Sequence, residues 1–445
     1  MVNPYDPCVA NKTYKDGSQC TICWYVDDLK ISHCDPNVVT KVIESIEERF
    51  GKMKVTRGKD HVYLGMKIKF GINKDVQIRM SDYIQEAIDD FTQTCKKNPT
   101  SPAGEHIFQV RDDVSTLCEK DRKLFHSIVA KLLYISRRGR PDIQVPVAFL
   151  TTRVTKADDD DWKKLHRVLC YLKNTIDLPL VISIDNLNDI RTWVDASFAV
   201  HPNMRSDTGG YISMGKGTLY ASSKKQKINT KSSTEAELVG ASDFLPQALW
   251  TRHFLEAQGY DISQNLFYQD NQSAMKLEKN GRQSSSQRTR HVNIRYFFIK
   301  DKIDQGEITL EYCPTDRMIA DFFTKPLQGS SFRRLRDVVM GAKHYSTLEH
   351  SKEDIQERVG DDGFENNDSG DIDKENLKSK LSLNNSLNHS QMRIKLNRGR
   401  IYQVKGIDRI QNTSDEPVTP VTKNGYPPSR MTYVDVVRKG TSILK

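Results

Sequence analysis

Hydrophobic positions change their spacing several times along this chain, and the changes mark its organisation. "CTICWYV" and "LKISH" are rich in β-formers and flank the pair Asp27 and Asp28, as the arms of a hairpin would. In "DPNVVTKVIESIEERFG", Val38, Val39, Val42, Ile43, Ile46 and Phe50 fall at helical spacing and Gly51 supplies a stop. "HVYLGMKIKF" returns to strand character. From about 120 to 180 the period is helical. Leu124, Phe125, Ile128, Val129, Leu132 and Leu133 make one stripe, and "RGRP" breaks it. "ADDDDWKKLHRVLCYLKN" then starts another helix, with acids where the helix dipole favours them.

Residues 188 to about 330 are the most regular block. "IRTWVDASFAV", "TGGYISMG" and "TLYASSKK" predict three strands with glycine-containing turns. "SSTEAELVGASDFLPQALWTRHFLEAQG" predicts a long helix, kinked at Pro246 and ended by Gly259. It opens with two overlapping capping-box patterns, Ser232-x-x-Glu235 and Thr234-x-x-Glu237. Strand "NLFYQD", helix "NQSAMKLEKNG", helix "TRHVNIRYFFIKDKIDQG", strand "ITLEYCP" and helix "DRMIADFFTK" follow. The order βββ-α-β-α-α-β-α predicts an α/β fold with a mixed sheet. Beyond about 346 the pattern dissolves into an acidic stretch and then a basic one, with few apolar anchors, so most of the tail is expected to be disordered.

Composition narrows the function classes. The chain has 445 residues, enough for two or three domains, and is 37% hydrophobic and 28% charged. A net charge of +9 suits a polyanionic partner. No apolar run approaches the roughly 18 residues of a membrane span, and "MVNPYDPCVA" lacks the basic start and apolar core of a secretory signal. Eight scattered cysteines point to a reducing, intracellular setting, cytoplasmic or nuclear. Cys20 and Cys23 form one C-x-x-C with only His33 and Cys34 near, which makes a zinc-binding interaction protein the weakest reading.

Four acids in the regular block carry more. Asp195 interrupts a strand between Val194 and Ala196, where Asp is disfavoured. Glu237 lies in the first turns of the long helix, Asp270 ends the fourth strand, and Asp321 lies in the last helix. Each alone has a plainer use: Asp270 as a helix cap, Glu237 as half a capping box, Asp321 on a solvated face. Together they would repel strongly unless a cation neutralised them. Mg²⁺ suits such oxygen ligands, and two ions about 4 Å apart can activate water and stabilise a leaving oxygen.

"DASF", "SSTEAEL", "DNQSA", "RTRHVNIRYFFIKD" and "ADFFTKPL" closely resemble the ribonuclease H domain of copia-type LTR retrotransposon Pol polyproteins. "YVDD" resembles the palm motif of the preceding reverse transcriptase, and "YLGMKI" the primer-gripping hairpin after it. "RRGRPDIQVPVAFLTTRV" and "WKKLHRVLCYLK" resemble the connecting helices. The resemblance runs in family order from residue 5 to about 340. It implies a partial α+β palm over 1–80 and a mostly helical thumb or connection over 81–187. A ribonuclease H-like five-stranded mixed sheet with helices would follow over 188–340, and a largely disordered tail over 341–445.

Carried over residue by residue, the resemblance implies Asp195, Glu237, Asp270 and Asp321 as a catalytic quartet binding Mg²⁺, or Mn²⁺, with Glu235 the rival of Glu237. The substrate would be an RNA–DNA hybrid. Gln272 would touch its minor groove, and Ser232 and Ser233 the 2′-hydroxyls of its RNA strand. Arg288, Arg290, His291 and Arg295 would face phosphates or form a solvated basic face. The mobile histidine that many relatives carry before the last acid is missing from "CPTDRMIAD", and His291 is its substitute or a packing residue.

In the palm, Asp27 would be a metal ligand with Asp28 supporting it. A second metal-binding Asp belongs to an earlier strand, and the upstream acids Asp6 and Asp16 do not match it. The polymerase half is therefore expected to be incomplete. A non-catalytic nucleic-acid-binding protein or inert relic stands as the alternative to a working nuclease.

Overall fold

The computed structural model describes residues 1–284, 290–349 and the backbone of 400–405. Near the N-terminus, β1 (Val2–Asn3), β2 (Asp6–Thr13), β3 (Gln19–Tyr25) and β4 (Asp28–His33) form an antiparallel meander. Alternation along β3 sends Cys20, Ile22 and Trp24 toward one core. Cys23 falls on the other face, its Sγ 3.9 Å from the Tyr63 hydroxyl. The two cysteines of the C-x-x-C thus point apart, and no metal-competent group forms around them among the described residues. Val26 turns the hairpin with φ 51 and is exposed, while Trp24 packs inward.

The helix α1 (Pro36–Phe50) covers this sheet with Val39, Val42, Ile43 and Ile46. Asp35 caps it by accepting from the Asn37 N–H at 2.9 Å, and Gly51 ends it with φ 87. The strand β5 (Lys54–Arg57) follows.

The expected boundary at residue 80 is crossed by a sheet. The hairpin of β6 (Asp60–Tyr63) and β7 (Met66–Phe70) pairs with β8 (Val76–Arg79). Then come α2 (Ser81–Asp89), α3 (Glu119–Arg138), α4 (Gln144–Thr151) and α5 (Asp159–Asn174). The "RGRP" break is a polar anchor in the core. Arg140 donates to Asp142 at 2.9 and 2.8 Å, and the Tyr171 hydroxyl donates to the same carboxylate at 2.7 Å. After α5, β9 (Leu180–Ile184) closes the open edge of β8. A short strand from the next block completes the sheet.

That block starts with β10 (Asp189–Ser197), β11 (Asp207–Ser213), β12 (Gly215–Lys216) and β13 (Tyr220–Lys225). The strand β12 pairs with β9, so residues on both sides of 187 share the second sheet. The helix α6 (Ser233–Ala257) runs unbroken through Pro246. It is followed by β14 (Gln264–Gln269), α7 (Gln272–Asn280), α8 (Asn293–Asp304), β15 (Thr309–Tyr312) and α9 (Gly329–Val339). The third sheet is mixed and five-stranded, in the order β13-β11-β10-β14-β15. Its first three strands are antiparallel and its last three parallel. Both faces are buried: Trp193 and Tyr211 join the core shared with the helical region, while Val194 and Ile212 pack under α6.

Three expectations change here. The last helix is two 3₁₀ turns, Thr315–Arg317 and Ile319–Phe323, separated by Met318 in extended conformation. The helix α8 starts at Asn293, so Arg290 and His291 lie in the turn before it, and Arg288 lies outside the described residues. The fold also continues past 340. His344 contacts Asp185 at 2.6 Å, Leu348 is buried, and β16 (Arg400–Lys405) lies in the first sheet between β4 and β5. The rest of the tail lies outside the described residues. The mixed α/β class expected from the element order is observed.

Candidate metal centre

Two parallel neighbours aim their acids at one end of the third sheet. Trp193 and Tyr268 are the last paired residues of β10 and β14. Asp195 and Asp270 each lie two positions further on, so alternation returns both to the same face. The register across β11 sets Asp195 opposite Gly209. A Cβ there would lie 2.7 Å from Thr324 Cγ2 and 2.8 Å from the Ala320 carbonyl oxygen. The glycine therefore lets the turn carrying Asp321 rest on the sheet beside Asp195.

The N-terminus of α6 separates the two rival glutamates. Ser232 caps the helix by accepting from the Glu235 N–H at 3.2 Å. Glu235 accepts from the Lys231 N–H at 2.8 Å and pairs with His291 at 3.2 Å. Glu237 makes no capping box. It is 5% exposed and points inward, with Oε2 buried and lacking a hydrogen-bond partner. Asp270 is free of the capping task because Asn271 takes it, accepting from the Ala274 N–H at 3.1 Å.

Ligand oxygens of Asp195, Glu237 and Asp270 all lie within 4.8 Å of one another. Asp321 adjoins them through Lys325, whose Nζ is 2.7 Å from Asp321 and 3.8 Å from Asp195. The Thr324 hydroxyl donates to Asp195. The electrostatics match that crowding. Burial, and then the charges of Asp195 and Asp270, raise Glu237 well above the usual carboxylate range. Burial raises Asp195, and burial with the Asp195 charge pushes Asp321 up to about 7. A buried carboxylate oxygen without a donor, in a cluster where burial and like charge disfavour the anionic form, fits a divalent cation. All the donors are hard oxygens, which favours Mg²⁺ or Mn²⁺ over softer metals.

The other expected residues divide. Gln272, at the start of α7, and Ser232 and Ser233, at the start of α6, are exposed near the cluster. Arg290 is exposed, and Arg295 is engaged by Asp243 at 2.6 Å. Asp27 stands exposed at the hairpin turn and Asp28 starts β4. Neither belongs to a metal-competent group among the described residues. The motif reading did not single out Thr324 and Lys325, although "FFTKPL" places them three and four residues after Asp321.

No protein-family model matches the chain, and no solved structure matches it. Curated relatives do. The retrovirus-related Pol polyprotein from transposon TNT 1-94 of Nicotiana tabacum is 26% identical over 341 residues, 75% of this chain and 25% of that protein. The retrovirus-related Pol polyprotein from transposon RE2 of Arabidopsis thaliana is 27% identical over 312 residues, 69% of this chain and 21% of its own. The transposon Ty1-ER2 Gag-Pol polyprotein of Saccharomyces cerevisiae is 22% identical over 334 residues, 72% of this chain and 19% of its own. The chain spans a quarter or less of the length of these relatives. Sustained over most of the chain, such matches make it a relative of the Pol polyproteins of copia-type LTR retrotransposons.

Proposed function

We propose that this is a retrotransposon-derived Pol segment whose residues 188–340 form a ribonuclease H-like, divalent-metal-dependent nuclease. It cuts the RNA strand of RNA–DNA hybrids. The reading rests above all on the three carboxylates gathered within 4.8 Å, one with a buried oxygen left unpaired. Asp195, Glu237 and Asp270 would hold Mg²⁺ or Mn²⁺, with Asp321 completing the set. The bound ion would neutralise phosphate charge and lower the pKa of an attacking water.

The chain's own groups do the positioning. Thr324 orients Asp195, and Lys325 ties Asp321 to it. Asn271 caps α7 in place of Asp270, whose carboxylate instead accepts from the Thr315 hydroxyl at 2.9 Å beside the cluster. Exposed Gln272, Ser232 and Ser233 line the approach for the hybrid, with exposed Arg290 available to phosphates and His291 held beside it by Glu235. Residues 1–80 and 81–187 are a polymerase-like palm and connection that synthesise no DNA by themselves. No helix among the described residues is long and apolar enough to cross a membrane. None of the eight cysteines is paired in a disulfide, which suits a reducing cellular interior.

The full chain should release RNA fragments from a labelled hybrid when Mg²⁺ is added and leave duplex DNA intact. Hybrid left uncut in Mg²⁺ and in Mn²⁺ would defeat the nuclease reading. One observation favours the second reading, a hybrid-binding protein that does not cleave: the Lys325 ammonium already sits against two of the four acids. Hybrid binding without cleavage, unchanged by chelator, would establish it.

A further inference from the structure

A second cluster lies far from the acids in ligand chemistry. The sequence "HRVLC" places His166 and Cys170 one helical turn apart on α5, so both project from one face. The loop between α2 and α3 brings Cys95 to them, and the ligand atoms of all three lie within 4.8 Å of one another. Cys170 is buried, while Cys95 and His166 are partly exposed. The His166 ring stacks on Phe91 with centroids 5.5 Å apart, which fixes its plane. Its Nε2 is buried without a hydrogen-bond partner. A buried polar nitrogen with no partner is costly unless something uses it.

We infer that Cys95, His166 and Cys170 bind one zinc ion, with water as the fourth ligand, and that the ion clips this loop onto α5. The donors are two thiols and an imidazole, a set that favours zinc and disfavours Mg²⁺. Tetrahedral zinc with Zn–S about 2.3 Å and Zn–N about 2.0 Å separates its ligand atoms by about 3.5–3.8 Å. The observed cluster therefore needs only a small contraction, which the loop can supply. Charge also balances: two thiols each lose a proton to solvent, and two thiolates neutralise Zn²⁺ beside a neutral imidazole. The clipped loop matters beyond its own place. Downstream of Cys95, Ser101 Oγ donates to Gln328 at 2.7 Å and accepts from Arg167 at 3.1 Å. The ion would thus steady a loop that joins α5 to the segment just after the acidic cluster.

The test uses the full chain, purified with reductant, loaded with Zn²⁺ and freed of excess metal in the presence of millimolar Mg²⁺. One zinc per chain is expected. Co²⁺ in its place should show thiolate-to-metal charge transfer and the strong visible bands of a tetrahedral site. Cys95→Ser, in a loop and tolerable to the fold, should lose the charge-transfer band and the zinc-dependent rise in thermal midpoint. Cys23→Ser should keep both. A bound-zinc stoichiometry and a cobalt spectrum in Cys95→Ser equal to those of the wild type would overturn the assignment. So would the absence of bound zinc in the wild type, or a Cys95–Cys170 disulfide in chain purified with reductant.

Discussion

The chain carries two sets of acids on two sheets, and their surroundings are opposite. At one end of the third sheet, Asp195 and, on the overlying α6, Glu237 are buried, crowded by Asp270 and Asp321, and raised in pKa by that burial. In the first sheet, Asp27 projects into solvent from a hairpin tip beside Asp28, and neither belongs to a group of three or more possible ligands among the described residues. The strand beside the hairpin's second arm is β16, whose residues "RIYQVK" include no carboxylate. The lesson concerns what a motif needs. "YVDD" and "DASF" are equally short, yet only the second sits where neighbouring strands and helices deliver partners. Charge density, rather than the presence of aspartate, separates a site able to hold a divalent ion from a polar turn.

The most decisive way to break this contrast is to neutralise one acid in each sheet. Asp195→Asn or Asp270→Asn should lower hybrid cleavage by on the order of 10²-fold or more, because each removes an anchoring charge. Asp27→Asn should leave cleavage unchanged, and the wild-type chain should extend no primer on any template. Labelled-hybrid cleavage and primer-extension assays read both. Primer extension that vanishes in Asp27→Asn would put the first sheet on equal terms with the third.

Within the third sheet, Glu237→Gln should reduce cleavage far more than Glu235→Gln. The first loses a ligand and the second a capping contact worth about 1 kcal/mol. The reverse order would move the ligand to Glu235. Gly209→Ala should come next, with a loss of about 10-fold or more, since its Cβ would push against the Ala320 backbone and displace Asp321. Near-normal rates in that variant would mean that the turn tolerates the shift.

Stability against pH sharpens the comparison without any substrate. Asp321 is raised to about 7, and the buried Glu278 to about 8 by burial. A carboxyl raised in the folded state binds more protons there than when unfolded. Its contribution is whole below its unfolded value and is lost as pH rises through the folded one. In chelator, the calorimetric midpoint should therefore fall by a few degrees between pH 5 and 8.5. Mg²⁺ should restore the share that comes from the acidic cluster and leave the Glu278 share. A flat profile in chelator would contradict the crowding.

The smallest effect belongs to the first sheet. Tyr402→Pro removes a backbone donor from a strand with neighbours on both sides, a loosening confined to that edge of the sheet. Amides of Leu29–Ser32 and Lys54–Arg57 should exchange faster, while hybrid cleavage stays unchanged. Unaltered exchange would show that β4 and β5 do not depend on β16.

By itself the sequence determined the local elements whose pattern is strong. The hairpin around Asp27, α1 with its Gly51 stop, and the strand–helix order from 188 to the strand ending at Tyr312 follow from periodicity and end signals within a few residues. So do the four acids as candidates, since Asp inside the strand "WVDAS" is costly without a reason. Tertiary structure decided what those signals do not encode. The sheet joining β6–β8 to β9 and β12 pairs residues far apart in sequence, which no local pattern reports. The split of "DRMIADFFTK" into two 3₁₀ turns came from docking against Gly209, where packing overrode helical propensity. The choice between Glu235 and Glu237, the entry of Lys325, and the meeting of Cys95 with His166 and Cys170 are also of this kind. Each depends on which side chains the packed elements turn toward one another, and burial then sets their charge.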